Sequence, residues 1–233
     1  MIGAALVLTL GLLAAPPGAA SDSLGDLPLI PEPAPSGPLL AVMLTGDGGW
    51  SAGDRALAAA FVQRHVAVVG LNSARYLSRA RTPDEAGADL TRILRHFLPA
   101  WHRERVVVVG YSRGADIGPF MISRLPCDLR DRVALVTLLG PGEFAGFKAG
   151  LLDVLHSHTS KGLQVSPEVA ALRGTSVLCI YGVRDPGAIC PSLQQAGLAR
   201  AVSRTGGHII HGSEGPGLAD TILGSLDRQR WTR

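Results

Sequence analysis

Val106-Val107-Val108-Val109-Gly110-Tyr111-Ser112-Arg113-Gly114 is the stretch on which the reading of the fold turns. Four consecutive valines are β-branched and apolar, as a strand buried on both faces requires. They run directly into Gly-x-Ser-x-Gly, and a helix-compatible stretch follows. The pattern alone is weak in a chain with 29 glycines among 233 residues. Its strand–turn–helix setting makes it specific. So tight a turn admits only small residues at its flanks. It forces Ser112 out at the carboxyl end of the strand, at the mouth of the helix. Ser112 is the candidate nucleophile.

Working outward, residues 39–44, 66–71, 133–139 and 177–181 are further apolar runs that read as buried strands, and 201–204 is a weaker sixth. Amphipathic stretches lie between them. Ser51 with Asp54 resembles a capping box, and the helix it opens turns Leu57, Ala60 and Phe61 inward. Thr82-Pro83-Asp84-Glu85 is a stronger start, followed by Leu90, Ile93, Leu94 and Phe97 on one stripe. A third helix should follow Ser112, and a last one should run over about 217–226. Repeated strand–helix–strand units require a mostly parallel sheet of about six strands with helices on both faces. Residues 140–167 interrupt the alternation and read either as a lid or as a surface helix with loops.

The chain is long enough for one such domain, at 46% hydrophobic and 18% charged residues with a net charge of +3. Its basic residues are scattered, which argues against nucleic acid but suits contact with an anionic membrane or substrate. Residues 1–20 are apolar up to Ala15, then carry Pro16-Pro17-Gly18 and the small pair Ala19-Ala20. This reads as a secretory signal, with retention as an anchor the alternative, and so predicts a periplasmic protein. Residues 21–38 read as an irregular lead-in, and 39–228 as the domain. In an oxidising compartment Cys179 and Cys190 could pair; a buried free thiol at Cys179 is the other reading. Cys127 is then left at or near a helix end.

A serine hydroxyl needs a base and an orienting acid, here expected in the chain order Ser, acid, His. Asp185 follows the strand 177–181 in the loop Gly182-Val183-Arg184-Asp185 and is the candidate acid, ahead of Glu143 and Asp153. His208 follows Gly206-Gly207 and is the candidate base, with His211 competing. His156 and His158 precede the acid and are poor candidates. This combination predicts an α/β-hydrolase fold. A tetrahedral intermediate requires two backbone donors. One should be the N–H of Arg113, the other that of Asp47 or Gly48 in the loop Thr45-Gly46-Asp47-Gly48-Gly49-Trp50. That loop lacks the Gly-Lys-Ser/Thr ending of a nucleotide cradle. The histidines and cysteines lack metal-ligand spacing, and nothing implies a cofactor.

Taken together, residues 45–50, Gly110-Tyr-Ser-Arg-Gly-Ala-Asp116, Cys179-Ile-Tyr-Gly182 with Cys190, Gly206-Gly-His208, and Arg75-Tyr76 with Arg81-Thr82-Pro83 resemble the VirJ/AcvB bacterial virulence protein family. The resemblance spans roughly residues 27–226. It implies an exported protein of α/β-hydrolase type with Ser112, Asp185 and His208 as nucleophile, acid and base. It also implies activity on aminoacylated phosphatidylglycerol such as lysyl-phosphatidylglycerol, attributed to longer members, or a non-catalytic link to type IV secretion and its proteins. Arg113 stands where the family tends to have a bulky apolar residue. Charge placement adds Arg75 and Arg79 as candidate substrate-binding residues near Ser112, with Arg81 and Arg113 joining them around a phosphodiester headgroup, and the resemblance adds Tyr76 beside Arg75. Asp116 or Asp47 would then meet a cationic aminoacyl group. The competing reading leaves the arginines solvated and Asp116 bonded on its own helix.

Overall fold

The computed structural model describes residues 24–148, 161–208 and 215–228. The signal segment, Asp153, His156, His158 and His211 lie outside the described residues. In chain order the elements are β1 (Leu29–Glu32), β2 (Leu39–Leu44), α1 (Ala52–Val62), β3 (Ala67–Leu71), α2 (Ser73–Tyr76), α3 (Pro83–Ala100), β4 (Arg105–Tyr111), α4 (Arg113–Ser123) and α5 (Cys127–Arg130). They continue with β5 (Val133–Leu139), β6 (Phe144–Ala145), β7 (Leu163–Gln164), α6 (Val165–Ala171), β8 (Val177–Gly182), α7 (Cys190–Gln195), β9 (Arg200–Arg204) and α8 (Gly215–Arg228).

Seven strands form one sheet in the order β1-β3-β2-β4-β5-β8-β9. Strands β2 to β9 of this sheet pair in parallel, and β1 pairs antiparallel with β3. The six expected strands are present. β1 is an addition, because the lead-in carries a sheet strand where an irregular segment was expected. Its Pro31 is opposite Val69. An edge strand tolerates a residue that cannot donate to a ladder.

Period-two alternation sends side chains of each strand to two helical layers. Leu40, Val42, Val106 and Val108 pack with Leu90, Ile93 and Leu94 of α3 and Ile117 of α4. Ala41, Met43, Val107 and Val109 pack on the other side with Leu57 and Phe61 of α1 and Leu218 and Ile222 of α8. Each fully buried side chain of this size stabilises by roughly 1.5–3 kcal/mol relative to exposure. Both expected capping boxes form. Ser51 Oγ accepts the Asp54 N–H at the start of α1, and Thr82 Oγ1 accepts the Glu85 N–H at the start of α3 with Pro83 in the first turn.

Within 140–167, β6 and β7 pair antiparallel as a second small sheet, Phe144 opposite Gln164 and Ala145 opposite Leu163, and α6 begins at Val165. Phe147 meets Phe120 of α4 edge-on, ring centroids 5.4 Å apart. The rest of the expected lid lies outside the described residues. Among the described residues no helix is long and apolar enough to cross a membrane.

Because the strands are parallel, their carboxyl ends lie along one edge of the sheet, where ligands gather in this architecture. The loop after β2, Ser112 after β4, Gly140 after β5, Asp185 after β8 and His208 after β9 all belong to that edge.

Candidate active site

Ser112 has φ 51° and ψ −121°, a conformation that a residue with a Cβ adopts only under constraint. The constraint comes from the two flanking glycines. A Cβ on Gly110 would lie 2.4 Å from the Gly114 carbonyl oxygen, and one on Gly114 would lie 2.1 Å from that of Leu44. No side chain fits at either position. The turn is held by the Ser112 N–H, which donates to the Leu139 carbonyl at 2.9 Å.

Asp185 is set by a turn in which its N–H donates to the Gly182 carbonyl at 2.9 Å. The β9 strand brings His208 to it across a close backbone contact: a Cβ on Gly182 would lie 2.0 Å from the Gly207 carbonyl oxygen. The Arg184 N–H donates to Gly206 at 2.9 Å and stitches the two loops together. Gly140, with φ 59°, leaves room for the imidazole, since its Cβ would lie 3.3 Å from His208 Cε1.

The result is a continuous chain. His208 Nδ1 lies 2.8 Å from Asp185 Oδ2, and His208 Nε2 lies 2.8 Å from Ser112 Oγ. Asp185 Oδ1 also accepts the Gly187 N–H at 3.3 Å. With Asp185 ionised, both imidazole contacts are satisfied when Nδ1–H donates to the carboxylate and Nε2 accepts the Ser112 hydroxyl proton. Such an arrangement can remove a proton from Ser112 and return it to a leaving group.

Tyr111 is a residue of the site that the serine motif itself does not specify. Its ring stacks on His208 with centroids 5.8 Å apart and planes 29° apart. Burial pushes its hydroxyl up to about 12, with Asp54 and Asp185 adding to the effect, so it stays neutral beside the imidazole. The only sequence signal was its place between Gly110 and Ser112.

The loop after β2 runs alongside the nucleophile: a Cβ on Gly46 would lie 3.3 Å from Ser112 Cβ. The Gly49 N–H donates to the Gly46 carbonyl at 3.1 Å, closing a β-turn with Asp47 and Gly48 at its centre. The turn bond itself uses neither of their N–H groups.

Arg113 corrects an expectation. Its side chain is 2% exposed and does not join the surface arginines. It turns back to form an ion pair with Asp47 and reaches the Gly146 carbonyl at 3.4 Å. Asp116 is also buried, and its Oδ1 accepts the Gly142 N–H at 2.7 Å, so it is bonded neither on its own helix nor at an open surface. Desolvation pushes its carboxyl up to about 7, against the opposing pull of the Gly142 N–H and Arg113.

Tyr76 corrects a second expectation. It is fully buried, and its hydroxyl donates to Asp89 Oδ2 at 2.8 Å. Arg81 shares that carboxylate at 2.7 Å and lies 3.9 Å above the Tyr76 ring. Arg75 and Arg79 remain exposed. They line an open cavity of about 890 Å³ together with Trp50, Asn72 and residues 25–30, and Tyr76 and Arg81 lie at its wall. Gly49 faces Asn72 there, with 3.0 Å from its Cβ position to the amide. The β-turn 46–49 thus has Ser112 beside its first residue and Asn72 beside its last.

Cys179 and Cys190 form a disulfide, and Cys127 is exposed at the start of α5. Among the described residues no cluster of three or more His, Cys, Asp or Glu could hold a metal ion.

Sheet order, helix layers and the strained serine turn define an α/β-hydrolase fold. Solved structures agree on that fold. Est1E from Butyrivibrio proteoclasticus is 13% identical with a TM-score of 0.60, covering 87% of this chain and 93% of that one. The esterase Pf2001 of Pyrococcus furiosus is 12% identical with a TM-score of 0.60, covering 88% and 90%. The thioesterase domain from the curacin biosynthetic pathway is 13% identical with a TM-score of 0.56, covering 84% and 94%. The bacterial virulence protein (VirJ) family matches residues 38–230, and the chain belongs to that family. No curated protein sequence matches it.

Proposed function

We propose that this protein is an exported serine hydrolase that cleaves a carboxylic ester through an acyl-enzyme. The observation that carries the reading is the hydrogen-bonded chain Asp185–His208–Ser112, with 2.8 Å at each imidazole contact and the serine on a strained turn. A protein that only binds has no need of a serine held in a disfavoured conformation against a base.

In the first step Ser112 Oγ attacks the ester carbonyl while His208 Nε2 takes the hydroxyl proton. The carbonyl oxygen becomes an oxyanion, stabilised by the N–H groups of Arg113 and of Asp47 or Gly48. Collapse breaks the bond to the leaving oxygen, and His208 returns its proton to that oxygen. Water then repeats the sequence on the acyl-Ser112 ester, giving its proton to His208 and releasing the acid. Throughout, Asp185 holds the imidazole in one tautomer and stabilises its protonated form.

On the substrate side, the exposed Arg75 and Arg79 beside Trp50 suit a substrate with an anionic group next to apolar surface. The family resemblance narrows this to an aminoacylated phosphatidylglycerol, met at an anionic membrane surface from the periplasm. Of the two carboxylates expected to meet a cationic aminoacyl group, Asp116 is buried and the partly exposed Asp47 is already paired with Arg113.

A fluorophosphonate probe tests the reaction class. Labelling of the wild type and none of Ser112→Ala is the expected result. Absent labelling, or equal labelling of both, would leave the hydrolase-fold secretion factor as the better reading.

A further inference from the structure

The side chains of Arg113 and Asp47 join the two backbone segments that the mechanism needs together. Asp47 is at the centre of the β-turn after β2, and Arg113 is the first residue of α4, directly after the nucleophile. The Arg113 N–H and the N–H of Asp47 or of its neighbour Gly48 are the two donors assigned to the oxyanion. Their side chains meet in an ion pair in which Arg113 is 2% exposed and Asp47 19% exposed. Around it, the second guanidinium arm reaches the Gly146 carbonyl at 3.4 Å, and Asp116 holds the Gly142 N–H at 2.7 Å.

We infer that the Arg113–Asp47 ion pair is a strut that fixes the spacing of the two oxyanion donors, making both side chains positioning residues for the reaction. The inference rests on the serine hydrolase reading above. Its physical basis is local. The loop 45–50 holds Gly46, Gly48 and Gly49, and these residues resist backbone displacement least. The Gly49-to-Gly46 hydrogen bond closes the turn but does not tie it to α4. A Cβ on Gly46 would lie 3.3 Å from Ser112 Cβ, so the turn is near enough to the nucleophile for small displacements to matter. The ion pair supplies the cross-tie. A planar guanidinium suits the task, because it bonds in fixed directions where an ammonium does not. An apolar residue at 113 would leave the loop anchored at Thr45, which bonds Leu71 and Ser73, with no ion pair tying the turn to α4.

The test compares hydrolysis of p-nitrophenyl acetate by the wild type, Asp47→Asn, Asp47→Glu and Arg113→Met. Affinity for an alkyl trifluoromethyl ketone, which forms an oxyanion on the serine, is measured in parallel, and each variant's melting is followed by circular dichroism. Asp47→Asn and Arg113→Met should lower kcat by about 100-fold with KM changed by less than about threefold. Ketone affinity should fall in step with kcat, and Asp47→Glu should recover at least about a tenth of wild-type kcat. A purely structural role would lower the melting temperature without separating ketone affinity from KM. Folded Asp47→Asn with kcat within about twofold of wild type would overturn the strut. If Arg113→Met does not fold, the part-exposed Asp47 carries the test alone. Loss of Ser112-dependent turnover in the wild type itself would sink the hydrolase reading, and the strut with it.

Discussion

Cys190 is bonded to Cys179 across the loop whose turn carries Asp185, with 5.4 Å between the two Cα atoms. The bridge joins the middle of β8 to the first turn of α7, and both cysteines are fully buried. It therefore holds both ends of the segment that presents the acid to His208. Closing a loop of this length restricts the unfolded chain by about 3 kcal/mol. Cys190→Ser should lower stability by about that amount in urea unfolding, and reduction of the wild type should do the same. Turnover should fall too, because the segment that carries Asp185 loses the covalent tie between its two ends. Cys127→Ser, at an exposed thiol, should change neither measurement.

Asp185→Asn separates orientation from presence. Asparagine can occupy the same space, but its amide can stabilise neither the required tautomer nor the imidazolium as a carboxylate does. Turnover of a simple ester should fall roughly 10,000-fold with little change in KM. His208→Ala should fall at least as far. A drop of less than tenfold in Asp185→Asn would remove Asp185 from the mechanism and reopen Glu143 as the acid.

Asp116 makes stability depend on pH. Its carboxyl is pushed up to about 7 in the folded protein, chiefly by desolvation. In the unfolded chain it titrates near the usual value of about 4. The native state thus holds a proton that the unfolded state has lost, so this group's contribution falls as pH rises from about 4 to about 7 and is level above that. Asp116→Asn keeps an oxygen for the Gly142 N–H and cannot ionise. Urea unfolding at pH 5 and pH 8 should show the variant gaining on the wild type at the higher pH by a few kcal/mol at most. A gap that does not change with pH would mean the carboxyl is ionised throughout.

How legible these features were depended on how local their causes are. Ser112 was readable because Gly110 and Gly114 are required by contacts within the turn and with the adjacent strand end. The starts of α1 and α3 were readable because Ser51 and Thr82 meet partners three residues away. His208 was readable by its order in the chain and by the glycine pair before it, not by its partner, for Ser112 is 96 residues distant. β1 was not readable: four residues with a proline carry too little pattern, and their pairing with β3 is long-range. Nor could the sequence tell Tyr76 inside from Arg75 outside, since α2 is four residues long and has no period to read. The inward turn of the Arg113 side chain, expected among the surface arginines, was hidden for a related reason. A buried arginine makes sense only once Asp47, 66 residues earlier, is known to meet it.

The inward turn of Tyr76 makes it a stability residue. Tyr76→Phe removes the hydroxyl that donates to Asp89 and should cost about 1–2 kcal/mol in urea unfolding. Asp89→Ala leaves the buried Arg81 without its carboxylate and should cost about 3–5 kcal/mol. Neither change should alter KM for any ester. A KM effect in folded Tyr76→Phe would mean that the ring reaches substrate after all.

Arg75 and Arg79 test the substrate reading most directly, because they are exposed and so can be removed without disturbing the core. A charge-assisted hydrogen bond to an anionic substrate is worth roughly 1.5–3 kcal/mol, so each alanine variant should raise KM for an anionic lipid ester by roughly 10- to 100-fold. Maximal turnover should stay the same, since the interaction is made equally in the ground and transition states. A neutral p-nitrophenyl ester should be hydrolysed as by the wild type. Added salt should weaken the wild type on the anionic ester and leave the double variant unaffected, because partly exposed charges are screened within about 10 Å at 0.1 M ionic strength. Equal KM values for wild type and double variant on the anionic ester would return the two arginines to ordinary solvated surface and leave the cavity beside Trp50 without a role in catalysis.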